Sequence, residues 1–356
     1  MSPGKLAGLV GGLTAFVALL LADTPLQHQG VYGARPAVAA AVTALMAIWW
    51  ISEAMPIHWT ACVPLVVFPA SGVFSPDPLE SALRTGLPYL DAYVFLFLGG
   101  MCIAAAMQQW NLHRRIALLV LRRVGTSPAR ILLGFLSATA FVSLWISNTA
   151  TAAMMFPIGM AVIVQLEARS GGRRLAHFGC AVMLSIAYGA NVGGIGTKIG
   201  TGPNGIFAGF LAQRGVEVSF LEFAAVGFPF VVLFLPVVWL ALVRIGRRDA
   251  LDAEVGRAAV VEELARLGPV RAGERVVLAV FVGAVGLWIA GKPLTELAAR
   301  AFHLRVQTSQ VEATVSMGAA LLLLVWPVAG RRALELRALR VLSWRTLVLL
   351  GGGLSM

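Results

Sequence analysis

The sequence predicts an all-α polytopic membrane protein built on an inverted repeat, with one re-entrant hairpin and one broken helix. Three observations predict it. The 356 residues are 58% hydrophobic and only 13% charged, with a mean hydropathy of +0.83, well outside the balance of a soluble domain. A run of small polar side chains, Ser147-Asn148-Thr149-Ala150-Thr151, interrupts the uncharged apolar segment 131–166. A second break, Gly193 to Gly205, puts six Gly and a Pro into another apolar segment.

A span needs about 20 apolar residues. Runs of that kind lie at 6–22, 37–55, 57–74, 90–108, 176–192, 219–244, 274–290 and 313–329, and a further one starts near 344. The first run lacks a small-x-small cleavage site and reads as a signal anchor. Between the spans, 110–125 places Arg at the edges of a helical apolar pattern, as in an interfacial amphipathic helix. Residues 245–275 are the most charged stretch, with Asp249, Asp252, Glu254, Glu262 and Glu263 among the Arg, and read as a cytoplasmic connector. Residues 291–312 read as an outer connector.

The net charge is +11. The basic residues cluster in the loops between spans, which points to membrane orientation and away from nucleic acid. With 131–166 entering and leaving on the cytoplasmic side, 21 of the 28 Lys and Arg fall inside and six outside. A single crossing would move Arg173, Arg174 and the connector to the other side, so the bias favours a re-entrant hairpin. Cys62, Cys102 and Cys180 sit in apolar runs without paired spacing, and the five His are scattered. Neither a metal centre nor an intramembrane enzyme is expected. Arg-rich, Lys-poor usage suggests a bacterial source, and with it the cell inner membrane.

The repeat is Phe95-Leu96-Phe97-Leu98-Gly99-Gly100 against Leu347-Val348-Leu349-Leu350-Gly351-Gly352. The two copies run in opposite directions in this topology, an arrangement found in many secondary transporters.

Each break has a chemical reading. Ser143 and Ser147 are four apart and share one helix face. A helix ending near Ile146 leaves carbonyl oxygens free, and hydroxyl, amide and carbonyl oxygens suit a hard cation such as sodium. A helix starting near Thr149 offers free N–H groups that suit a carboxylate or sulfate. In the second break, glycine costs about 1 kcal/mol and proline about 3 kcal/mol per helical position, so two half-helices joined by an extended stretch are expected. A phosphate-binding loop would need a Gly-Lys-Ser/Thr ending and a preceding strand, and neither is present. Lys198 lies at membrane depth. It either serves function or snorkels to an interface or a water-filled cavity. Glu53 reads as a turn residue and Asp91 as a helix cap.

Together, Trp50-Ile51-Ser52-Glu53-Ala54-Met55-Pro56, the hairpin tip Ser147–Met154 and the loop 193–204 resemble the divalent-anion/sodium symporter family. The resemblance covers essentially the whole chain. It implies an elevator-type, homodimeric transporter of small dicarboxylates such as succinate, malate or fumarate, with sodium as coupling ion. Its domains would be scaffold helices over 1–90, a first repeat over 91–245 with the hairpin (131–166) and the broken helix (176–213), a cytoplasmic connector over 246–273, and scaffold helices with the start of a second repeat over 274–356. It implies substrate contacts from Asn148 and Thr149; Ser147, Lys198 and Thr201 are further candidates for the substrate site. It implies a sodium site at Ser143, Ser147, Asn148, Gly194 and Gly196. Sulfate transport, sodium-independent anion exchange, or a transport-dead membrane scaffold are the alternatives. Two departures stand out. Lys198 replaces a residue that is commonly apolar or Pro. The second Ser-Asn-Thr hairpin does not occur within the 356 residues, so these residues alone are expected to bind weakly and not to transport.

Overall fold

In lipid, a backbone must satisfy its own hydrogen bonds, and a helix does so within one segment. The computed structural model follows that rule. It describes residues 2–22, 35–125, 127–249, 262, 264–303 and 305–356. Of the expected cytoplasmic connector, positions 250–261 and 263, with Asp252, Glu254 and Glu263, lie outside the described residues. Among the described residues, six segments are long and apolar enough to cross a membrane.

Two compact units emerge. The first comprises residues 1–95 and 343–356. Helix α1 (Pro3–Leu21) packs on α2 (Arg35–Ile51), where the Trp49 indole donates to the Leu9 carbonyl at 3.3 Å. Two expected spans are shorter here. The run expected at 37–55 stops at Ile51, and Glu53 turns the chain with φ of 47°. The run expected at 57–74 divides into α3 (Ile57–Thr60) and α4 (Val63–Ser71), whose Pro64 and Pro69 lack the N–H that a continuous ladder needs. Helix α5 (Pro78–Gly86) is capped by Asp77 and leads through a 3₁₀ turn at Leu87–Leu90 to α6 (Ala92–Gln109). Asp91 accepts the Tyr93 N–H at 2.9 Å, the capping role read from the sequence.

The second unit spans 96–342. It contains most of α6, then α7 (Leu112–Val124), α8 (Pro128–Ser143), α9 (Asn148–Arg169), α10 (Ala176–Gly194), α11 (Gly202–Gln213) and α12 (Phe220–Gly246). Helices α13 (Ala272–Ile289), α14 (Gly291–Phe302) and α15 (Thr308–Val325) follow, then a small hairpin of β1 (Pro327–Val328) and β2 (Arg331–Arg332). The amphipathic α7 buries Leu118 and Leu121 against Ile131 and Phe135 of α8, Val162 of α9 and Phe178 of α10 in one continuous core. Its Arg115 forms an ion pair with Glu274 of α13 and donates to the Gly268 carbonyl at 3.0 Å.

Three of the four glycines of the repeat, Gly99, Gly351 and Gly352, sit at close approaches. Side chains at Gly351 and Gly352, in α16 (Trp344–Leu354) of the first unit, would collide with Tyr89 and Ala61. A side chain at Gly99 would collide with Ser316 of α15 in the second unit.

Candidate functional site

Helix α8 ends at Ser143 and α9 begins at Asn148, so four residues make the hairpin tip. Asn148 is the first residue of α9, one position earlier than expected. Helices α10 and α11 are separated by Ile195–Thr201. The fold ties these breaks together, beginning with Ser143 and Ala190, which are 47 residues apart in sequence. Ser143, fully buried, donates its hydroxyl to the Ala190 carbonyl at 2.7 Å, with Asn148 Oδ1, 3.1 Å from the same oxygen, as the alternative acceptor. Asn148 Nδ2 donates to Asn191 Oδ1 at 3.3 Å. The Thr197 hydroxyl donates to the Leu144 carbonyl. Thr151 Oγ1 donates back to the Ile146 carbonyl at 3.2 Å, closing the tip from within.

The second break is closed by its own asparagine. Asn204 Nδ2 donates to the Gly194 carbonyl at 2.8 Å and to the Thr197 carbonyl at 2.7 Å. Glycine is required where the breaks meet. A Cβ on Gly194 would run into the Asn148 carboxamide, and one on Gly193 into the Ala140 backbone. At Gly196 it would strike Leu144.

The arrangement gathers oxygen donors of one chemical kind. The Ser143 hydroxyl, the Asn148 and Asn191 amides and the Gly194 carbonyl all belong to this cluster. Hydroxyl, amide and carbonyl oxygens match the preference of a hard monovalent cation. No group of three or more His, Cys, Asp or Glu able to hold a metal occurs among the described residues. Two helices also start here. Their N-caps, Ser147 for α9 and Thr201 for α11, make no side-chain capping bond. The first N–H groups of α9 are therefore left for another acceptor, and the helix dipole favours an anion there; in α11 Pro203 has no N–H and the Asn204 N–H goes to the Thr201 carbonyl at 3.1 Å, which leaves only that of Gly202. Ser147, Asn148 and Thr201 are half-buried, and Thr149 and Asn191 are exposed.

Lys198 does not snorkel to an interface or a water-filled cavity. Its ammonium is fully buried and lies 2.8 Å from Oε2 of Glu312 in α15, also fully buried. Glu312 is not in an outer connector, where the sequence pattern put it. It lies inside α15, which starts four residues before it. Removing one partner of such a pair costs about 3–5 kcal/mol, because a charge is left buried alone.

Three participants were missed in the sequence. Asn191 looked like an ordinary residue of a helical run; its only signal was an amide in an apolar span. Glu312 carried a stronger one, a carboxylate five residues into a run that becomes a membrane-length helix. Trp145 stacks on Phe220 at 6.2 Å and meets Phe281 edge-on at 5.1 Å. Its indole N–H is buried and finds no acceptor among the described residues.

Known proteins share this chain's pattern. A family model described as citrate transporter matches residues 47–356. Sodium-dependent dicarboxylate transporters SdcS from Staphylococcus aureus strains USA300, bovine RF122 / ET3-1 and MSSA476 are each 35% identical over 367 aligned residues. That alignment takes in 100% of this chain and 67% of each relative. With six segments of membrane-crossing length and two helix breaks laced together, the chain belongs to the citrate transporter family, as a multi-pass membrane protein.

Proposed function

We propose that the protein carries small dicarboxylates, of the succinate, malate or fumarate type, across a bacterial inner membrane together with sodium. The observation that carries this reading is the lacing of the two helix breaks. Two unwound stretches in apolar surroundings are costly unless they line a polar cavity. Here they bring together oxygen ligands and the open N-terminus of α9. The names of the relatives, sodium-dependent dicarboxylate transporters, supply the substrate class and the ion.

In this mechanism sodium is held by Ser143, Ser147 and Asn148 with the carbonyls around Gly194 and Gly196. The substrate carboxylate takes hydrogen bonds from Ser147, Asn148 and Thr149, with Thr201 at the start of α11. Bound sodium supplies positive charge beside the carboxylate, so each ligand favours the other's binding and the two are coupled. Transport proceeds by an elevator movement of residues 91–245, with α13 and α15 tied to them by the Arg115–Glu274 and Lys198–Glu312 pairs, against scaffold helices in 1–90, within a homodimer.

Uptake of labelled succinate into liposomes carrying the full-length protein tests the proposal. An inward sodium gradient is expected to drive accumulation, and an equal potassium gradient is not. Uptake that ignores sodium, or succinate uptake no faster than in empty liposomes, would reject it.

A further inference from the structure

The buried Lys198–Glu312 pair joins positions 114 apart, one in the second break and one in α15. Glu312 is held in turn. Its Oε1 accepts the backbone N–H of Phe220, the first residue of α12. Its main-chain carbonyl accepts the Trp288 indole N–H at 3.1 Å, and the same N–H reaches Ser316 Oγ at 3.2 Å. The Phe220 ring stacks on Trp288 at 5.3 Å and on Trp145 of the hairpin tip at 6.2 Å. The two breaks thus end on one pillar, made of Phe220, Trp288 and Glu312. The hairpin tip reaches it through an aromatic stack, and the second break through an ion pair.

Lys198 sits between Thr197, whose hydroxyl and carbonyl both bind within the cluster, and Ile199, whose side chain an added Cβ on Gly100 of α6 would touch at 3.7 Å. A displaced Lys198 would carry the Thr197 carbonyl and the start of α11 with it. Well-packed apolar side chains would hold two helices as firmly as a buried ion pair does. What the pair adds is direction, since the ammonium has one low-energy place against the carboxylate. We propose that Lys198 and Glu312 are positioning residues. They hold loop 195–201 in the one register that presents the Gly194 and Thr197 carbonyls and Thr201 to the candidate site, and the cation affinity of the site depends on that register. The statement about the cation rests on the function proposed above.

Hydrogen exchange of the purified protein, followed by mass spectrometry over peptides from the loop and from α8, tests this. The double variant Lys198→Met/Glu312→Leu removes both charges without orphaning either. Loop 195–201 is expected to exchange about tenfold faster in it, the scale of one lost charged hydrogen bond, while α8 keeps its parental rate. Lys198→Arg, which retains an ionic link, is expected to restore slow exchange. The sodium concentration that half-protects the loop is expected to rise about tenfold in the double variant. If the double variant does not accumulate in membranes, Glu312→Gln replaces it, with the same expected direction. A folded variant with parental loop exchange would overturn the positioning role. Faster loop exchange with an unchanged sodium midpoint would overturn its link to cation affinity. Absence of sodium protection in the parent would reject the sodium reading, while the exchange rates would still decide the positioning role.

Discussion

Asn148 is the residue on which most of the candidate site converges. Its carboxamide oxygen lies 3.1 Å from the Ser143 hydroxyl, and its nitrogen donates to Asn191. Gly194 leaves no room for it to move toward the second break. Truncation to Asn148→Ala removes both links and, in the proposed function, a sodium ligand and a carboxylate donor. A hydrogen bond to a charged group is worth about 1.5–3 kcal/mol, so succinate affinity is expected to fall roughly 10- to 150-fold. Ser143→Ala is expected to act differently. Ser143 is fully buried behind the tip, so the sodium requirement should rise while succinate affinity at saturating sodium stays nearly parental. Concentration series of sodium and succinate in liposome uptake separate the two. Normal uptake by Asn148→Ala would remove the assignment. Asn148 and Ser143 could be named from the sequence because a polar cluster inside 36 apolar residues is costly without a use. Asn191 could not, because a lone amide in a helix gives no sign of what it will face.

At the scale of elements, the hairpin α8–α9 is the informative one. Both arms contribute to a single core with α7 and α10. A re-entrant course puts α7 and the turn after α9 on the same, cytoplasmic side. Arg122→Cys and Arg174→Cys, each in a cysteine-free background, should react with a membrane-impermeant maleimide only in inside-out vesicles. Labelling of Arg174→Cys from outside would show that the segment crosses once. A second element-level prediction concerns the start of α10. Asp249 Oδ2 accepts the Phe178 N–H at 2.9 Å, and Oδ1 lies 3.4 Å from His177 Nδ1. Partial burial raises the Asp249 pKa, but the Phe178 N–H and His177 together outweigh it and hold the carboxyl below the usual range. A depressed carboxyl stabilises the fold above its unfolded value, near pH 4, and that contribution is lost as pH falls through the lower folded value. Asp249→Asn should therefore lower Tm at pH 6 and narrow its gap to wild type as the pH falls below about 4. A constant gap across that range would show that the Asp249 charge does not contribute.

For the whole molecule, the solvent is lipid, and the outer surface shows it. Helix α12 exposes Phe228, Phe230, Leu233 and Val237, with Leu233 74% accessible. In water such a face would aggregate; in a bilayer it is the matching surface. Leu233→Arg places a charge in that face at a cost of about 2.5–3.5 kcal/mol on the insertion scale. Membrane-integrated yield is expected to drop for it and to stay near wild type for Leu233→Ala. Equal yields would show that this face of α12 does not meet lipid.

Composition and pattern alone determined the solvent, the helical class and the places where helices break. The reason is that lipid penalises every unpaired backbone group and every stray polar side chain, so exceptions are visible one residue at a time. The two breaks at 144–147 and 195–201 were legible for that reason, and so was the amphipathic course of α7. Tertiary structure decided what the exceptions do to one another. The hairpin tip hangs on Ala190 and Asn191, and Lys198 is matched by a carboxylate 114 residues away. A charge in an apolar run announces that a partner is needed; which residue answers depends on how the helices pack, and no local pattern encodes that.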